Sequence, residues 1–190
     1  MPRRICVFCG SSPGLRPIYV EEAKRLGVAL GEARIDLVYG GGSSGLMGAV
    51  ARTLKDTGGH VTGIVPQSLP NNEPIFDGLD VLHLVSSYHE RKMLMYHLSD
   101  GFVVLPGGPG TLEELMEHLT WMHRGRKRKP VYLVNHEGYW DPLLQLFDSM
   151  REAGFIADLN SRYLACDSAF DAVSDFNKNW SQANVPSVHE

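Results

Sequence analysis

A chain of 190 residues favours one domain with an adequate core. Its formal net charge of −4 argues against a general nucleic-acid binder. No apolar run approaches the roughly 18 residues that span a membrane, and Met1-Pro2-Arg3-Arg4 enters an apolar strand with no signal-peptide cleavage pattern. The three cysteines, Cys6, Cys9 and Cys166, read as reduced thiols of a cytoplasmic protein. Cys6 and Cys9 have C-x-x-C spacing, but they lie in a strand-like run, where residues three apart point to opposite faces. No second C-x-x-C completes a zinc site, and the scattered histidines give no metal pattern.

Strand-like and helix-like segments alternate along the chain. Residues 5–9 read as a strand and 19–33 as a helix with Ala23, Leu26, Ala29 and Leu30 on one face. Residues 37–39 are a second strand, running into Gly40-Gly41-Gly42-Ser43-Ser44-Gly45. A helix over 46–55 stops at Gly58-Gly59. Residues 61–65 are a third strand, and 66–80 an irregular segment rich in Pro, Asn and Asp. A fourth strand over 81–85 leads into a helix over 89–98. A strand at 102–105, a helix at 111–122 and a strand at 131–134 continue the alternation. Helices at 142–153 and 169–180 follow, with a short strand near 163–166 between them. Alternation of this kind implies βαβ units, hence an α/β fold with a parallel sheet covered on both faces. One domain over residues 1–181 and a loose tail over 182–190 are expected.

In such sheets ligands sit beyond the carboxyl ends of the strands. Three strands end in small or glycine-rich turns: Gly10-Ser11-Ser12, Gly40 to Gly45, and Pro106-Gly107-Gly108-Pro109-Gly110-Thr111. The last joins a strand end to a helix start, where free N–H groups and the helix dipole favour an anion such as phosphate. Pro109 lacks an N–H, so a phosphate there must use Gly108, Gly110, Thr111 and their neighbours. Glu114 has two readings. Thr111-Leu112-Glu113-Glu114 fits S/T-x-x-E, a capping box, and Glu114 is also placed as a catalytic carboxylate beside the phosphate. His89-Glu90-Arg91-Lys92 opens a helix at another strand end. It reads either as a mixed-charge surface turn or as a source of Arg91 and Lys92 for a phosphate or ribose. Were the two preceding strands neighbours, Arg91 and Glu114 would face each other across a ligand. The basic run Arg124-Gly125-Arg126-Lys127-Arg128-Lys129 reads as a solvated loop.

Taken together, these motifs resemble the LOG family, the cytokinin riboside 5′-monophosphate phosphoribohydrolases. Pro106, Gly107, Gly108, Gly110, Thr111 and Glu114 match its P-G-G-x-G-T-x-x-E signature, and His89 to Lys92 match its H-E-R-K element. Gly40 to Ser43 with Gly45 to Gly48, Cys9 to Ser12, and Thr120-Trp121 also fit. The resemblance implies a Rossmann-like doubly wound sheet and a homodimer. It implies hydrolysis of the N-glycosidic bond of an N6-modified AMP, a nucleoside 5′-monophosphate, with no cofactor and no metal. It assigns catalysis to Arg91 and Glu114. It assigns substrate contacts to Lys92, Gly107, Gly108, Gly110, Thr111 and Thr120, with Gly10, Ser11, Gly41 and Gly42 on the neighbouring turns and Glu73 in the irregular segment. Pro109 stands where the family commonly has Tyr, Tyr88 where Met often precedes H-E-R-K, and Ser44 departs in the first loop. Relatives have also carried a lysine decarboxylase label, whose chemistry needs a pyridoxal Schiff-base lysine with an acidic partner. No such context surrounds Lys92. The alternatives are a hydrolase of plain AMP or another purine nucleotide, and a non-catalytic nucleotide sensor.

Overall fold

The computed structural model describes residues 2–67, 74–123, 129–156 and 162–183, with backbone alone at 122–123 and 181–183. Among them the chain order is β1 (Arg3–Phe8), α1 (Pro17–Glu32), β2 (Ile35–Tyr39), α2 (Gly45–Asp56), β3 (Val61–Pro66), β4 (Val81–Val85), α3 (Tyr88–Leu98), β5 (Gly101–Val104), α4 (Pro109–His123), β6 (Val131–Val134), α5 (Asp141–Glu152), β7 (Leu164–Cys166) and α6 (Ala169–Ala183). A short 3-10 turn, His136–Gly138, enters α5. Every expected strand and helix is present, with ends shifted by a few residues.

The strands form one seven-stranded sheet in the order β4-β3-β2-β1-β5-β6-β7. All six pairings are parallel. Side chains alternate between the faces with period two. Ile5, Val7 and Cys9 enter the core shared with α1, α2 and α6. Cys6 and Phe8 enter the other core, shared with α3, α4 and α5. The two thiols of the C-x-x-C run therefore lie on opposite faces of the sheet. Cys6, Cys9 and Cys166 are all buried and free. Burial raises the Cys6 and Cys9 thiols well above their ordinary range and pushes Cys166 up to about 11.

The condition set for Arg91 and Glu114 to face each other is not met. β4 and β5 are not neighbours, because β3, β2 and β1 lie between them. The connection from β4 to β5 instead carries α3 back beneath β3, β2 and β1. The strand order reverses between β1 and β5, which makes their carboxyl ends the switch point of the sheet. The domain assignment places its end at residue 181, and α6 runs to Ala183. Among the described residues, no helix is long and apolar enough to cross a membrane.

Candidate functional site

The carboxyl ends of β1 and β5 are stitched together. The Gly10 N–H donates to the Pro106 carbonyl at 3.1 Å, and the Leu46 N–H to the Gly10 carbonyl at 3.1 Å. Between them opens a cleft of about 220 Å³, walled by Gly10, Ser12, Tyr19, Gly107, Gly108 and Tyr139 among others. The Tyr139 hydroxyl donates to the Gly107 carbonyl at 2.7 Å, and its ring meets Tyr19 edge-on at 5.5 Å. Ser11 is exposed at the turn. Tyr19 and Tyr139 were missed from sequence, because neither belongs to a motif and their meeting is set by topology.

α4 starts at Pro109, two residues earlier than the pattern suggests. Its first turn therefore carries N–H groups that have no partner within the helix. A Cβ on Gly108 or Gly110 would meet nothing within 4 Å, so both backbones face open space. Gly107 is different: a Cβ there would lie 2.1 Å from the Thr111 hydroxyl. Thr111 is 4% exposed and seated against the turn, inside the first turn of the helix. It does not occupy the cap position, so the capping-box reading of Glu114 does not hold. Among the described residues no hydrogen bond reaches the Glu114 carboxylate. Burial is the largest influence on that carboxyl and raises it to about 7, against the opposing charges of Arg91 and Lys92. Glu113 and Glu117 push in the same direction as burial.

α3 begins with a cap whose pattern is present in the sequence. Ser87-Tyr88-His89-Glu90 is itself S-x-x-E. The Ser87 hydroxyl accepts from the Glu90 N–H at 3.1 Å. The Glu90 carboxylate accepts from the Ser86 N–H and hydroxyl at 2.7 and 2.6 Å. Glu90 is thus structural, and its carboxyl is held below the ordinary range chiefly by Ser86. The next residue, Arg91, turns inward. Its Nε donates to the Ile64 carbonyl at 3.1 Å, and its guanidinium lies 5.9 Å from the Tyr88 ring centroid.

Lys92 joins the two helices. Its ammonium pairs with Glu113, and with Glu117 at 2.6 Å, and its side chain is 13% exposed. Burial alone would lower its pKa, but the two carboxylates raise it. Lys92, expected as a substrate contact, here forms an α3–α4 clamp. His89 also meets Trp121 of α4 edge-on at 6.5 Å, and Tyr96 packs on His118 at 5.4 Å. His118 is buried against Phe102, and burial lowers its pKa to about 3, so it is a neutral core ring. The clamp sets Arg91 and Glu114 on adjacent helices of one sheet face, both near the carboxyl edge. They act on each other through space, and among the described residues they form no ion pair.

Other expected contacts are placed elsewhere. Thr120 is exposed, with its hydroxyl bonded to the Met116 carbonyl at 2.8 Å. It stands nine residues beyond Thr111, roughly 13 Å along the helix. Gly41 adopts φ +81 and lies against Val65, and Gly42 bridges to Ile75 and accepts from the Tyr39 hydroxyl at 3.2 Å. That loop is packed by protein rather than open to a ligand. Glu73 and residues 124–128 of the basic run lie outside the described residues. Lys129, read as loop, instead closes the end of α3, donating to the Ser99 carbonyl at 2.5 Å and to the Tyr96 carbonyl. Among the described residues no group of three or more His, Cys, Asp or Glu side chains is arranged to hold a metal ion.

Comparison with known proteins gives a consistent picture. A family model described as "Possible lysine decarboxylase" matches residues 47–176. The chain is 47% identical over 162 residues to cytokinin riboside 5′-monophosphate phosphoribohydrolase LOG7 of Arabidopsis thaliana, covering 85% of this chain and 75% of that protein. It is 48% identical over 156 residues to the LOG enzyme of Oryza sativa subsp. japonica, covering 82% and 64%. The chain thus spans three-quarters of the first relative and just under two-thirds of the second. Among solved structures, the molybdenum cofactor carrier protein of Chlamydomonas reinhardtii superposes with a TM-score of 0.71 at 21% identity, over 95% of this chain and 99% of that one. The molybdenum cofactor binding protein of Rippkaea orientalis gives 0.71 at 20% identity, over 95% and 98%. These two likenesses concern the Rossmann-like fold alone. Sequence identity over most of the chain decides the family: the protein belongs to the LOG family of cytokinin riboside 5′-monophosphate phosphoribohydrolases.

Proposed function

We propose that this protein hydrolyses the N-glycosidic bond of N6-modified adenosine 5′-monophosphates, releasing the free base and ribose 5-phosphate. The observation that carries the reading is the pairing of α3 and α4 by Lys92, with Arg91 and Glu114 on the two paired helices and the Arg91 charge felt at the Glu114 carboxyl. Sequence identity of 47% to a curated phosphoribohydrolase supports the reaction type. The 5′-phosphate is assigned to the open turn at Gly108, Gly110 and Thr111, where helix N–H groups are free. Cleavage of a ribosyl–adenine bond builds oxocarbenium character on the sugar. Glu114, once ionised, stabilises that charge and activates the attacking water. Arg91 orients the nucleotide and assists departure of the base.

A pyridoxal-dependent decarboxylation is not supported by these residues. Lys92 is held as an ammonium between Glu113 and Glu117, whereas a Schiff base needs the free amine. The three buried thiols fit a reducing compartment, and we assign the protein to the cytoplasm. We also propose a homodimer, which light scattering would report as twice the 21.1 kDa chain mass. Release of ribose 5-phosphate, measured with AMP and with isopentenyl-AMP, tests the function. Preference for isopentenyl-AMP supports it, preference for AMP points to a broader nucleotide hydrolase, and binding without turnover points to a sensor.

A further inference from the structure

Gly40 immediately follows β2, and its backbone does not need glycine, since it is absent from the positive-φ positions. Its surroundings do. A Cβ at Gly40 would lie 2.0 Å from Nη2 of Arg91, 3.2 Å from its Cζ and 3.3 Å from Sδ of Met47. The missing side chain is the space that the guanidinium fills. On its other side the guanidinium is anchored by the bond from Nε to the Ile64 carbonyl at 3.1 Å. β2 and β3 are paired neighbours, with Tyr39 opposite Gly63, so Gly40, just past the end of β2, comes level with Ile64 within β3. The loop beyond Gly40 is fixed. The Phe76 N–H donates to the Gly41 carbonyl at 2.9 Å, the Ser43 N–H to the Pro74 carbonyl at 2.9 Å, and the Tyr39 hydroxyl to the Gly42 carbonyl. The loop is held in place, so a new methyl group would be relieved by the guanidinium.

We infer that Gly40 is a positioning residue for Arg91: its bare backbone and the Ile64 carbonyl form a slot that aims the guanidinium. This rests on the reading that Arg91 acts in hydrolysis. It gives the first glycine loop a task other than cradling phosphate. The closest atom to the absent Cβ is the end of a flexible side chain rather than backbone. Gly40→Ala should therefore fold and misplace one group. We expect its thermal midpoint to stay within about 3 °C of wild type, while kcat for isopentenyl-AMP falls about 10–100-fold. KM should change less.

The direct readout is the Arg91 Nε–H signal in a nitrogen-15 spectrum, identified by its loss in Arg91→Lys. Gly40→Ala should shift or abolish it. In an Arg91→Lys background, where Nη2 is gone, Gly40→Ala should change kcat less than about twofold. An unmoved Nε–H signal overturns the proposal, as does an equal loss of kcat in both backgrounds. If Arg91 variants fall below detection, the spectrum decides alone. Should Arg91→Lys and Arg91→Ala both turn over normally while the signal moves in Gly40→Ala, the slot stands and the catalytic reading of Arg91 is lost.

Discussion

Glu114 shows how burial and charge compete at one residue. Its carboxyl is raised to about 7, chiefly by burial. If the ionised form activates water, kcat/KM should rise with pH through a limb near 7. Arg91 and Lys92 hold that value down. Lys92→Met removes one cation and frees two carboxylates, so the limb should move to higher pH. An unchanged or lower limb would count against the clamp as an electrostatic device. The same shift makes Glu114 costly to stability. The unfolded group ionises near 4.5, the folded one near 7. Between these values the folded chain keeps a proton that the unfolded chain has released, so stability falls as pH rises through that window. Glu114→Gln, neutral throughout, should lose that dependence and melt a few degrees above wild type at pH 8. Thermal melts at pH 4 and pH 8 compare the two proteins. From sequence, Thr111 and Glu114 fit a capping box equally well. Only the helix start at Pro109 separates the roles, and proline favours the first helical position.

At the scale of elements, α3 depends on its ends. Only Met95 and Tyr96 of that helix are buried, so packing does little to fix its first turn. The Ser87 cap, the Arg91 bond to Ile64 and the Lys92 clamp hold that turn, and Lys129 holds the other end. Ser87→Ala should cost about 1 kcal/mol in denaturant unfolding and lower kcat, because Arg91 sits in the turn that would fray. A full kcat with the same stability loss would show that Arg91 is held by its slot alone. A second buried contact ties α1 to α6: Glu22 is 1% exposed and accepts from the Ala169 N–H. Glu22→Ala should destabilise by about 1–3 kcal/mol without changing KM, since it strands a buried donor that lines no part of the cleft. Urea titration with steady-state kinetics checks both parts. The strands and helices were legible because hydrophobic period and glycine punctuation are local signals. The end caps at Ser87 and Lys129 were less so, since one lies within a motif read for another purpose and the other within a basic run.

At the scale of the molecule, strand order is the feature that sequence could not supply. β4 reads clearly as Val81-Leu82-His83-Leu84-Val85, yet nothing in those residues places it at the sheet edge, with three strands between it and β5. Arg91 and Glu114 nevertheless lie on helices of the same sheet face, and the Arg91 charge acts on the Glu114 carboxyl. α3 crosses beneath the sheet and brings its first turns beside α4, where Lys92 fastens them. The switch point between β1 and β5 lies at the start of α4, while Arg91 of α3 is held at β2 and β3 on the same carboxyl edge. The two motifs of the candidate site were legible in sequence, whereas the route that brings their helices to one sheet face was not. The measurement that tests this most directly is ribose 5-phosphate release from isopentenyl-AMP by wild type and Glu114→Gln, with nucleotide binding followed by calorimetry. The wild type should turn over, and the variant should bind nucleotide with similar affinity while losing about 10²–10⁴-fold in kcat. A variant that hydrolyses at the wild-type rate would contradict the assignment of Glu114 and the mechanism built on it.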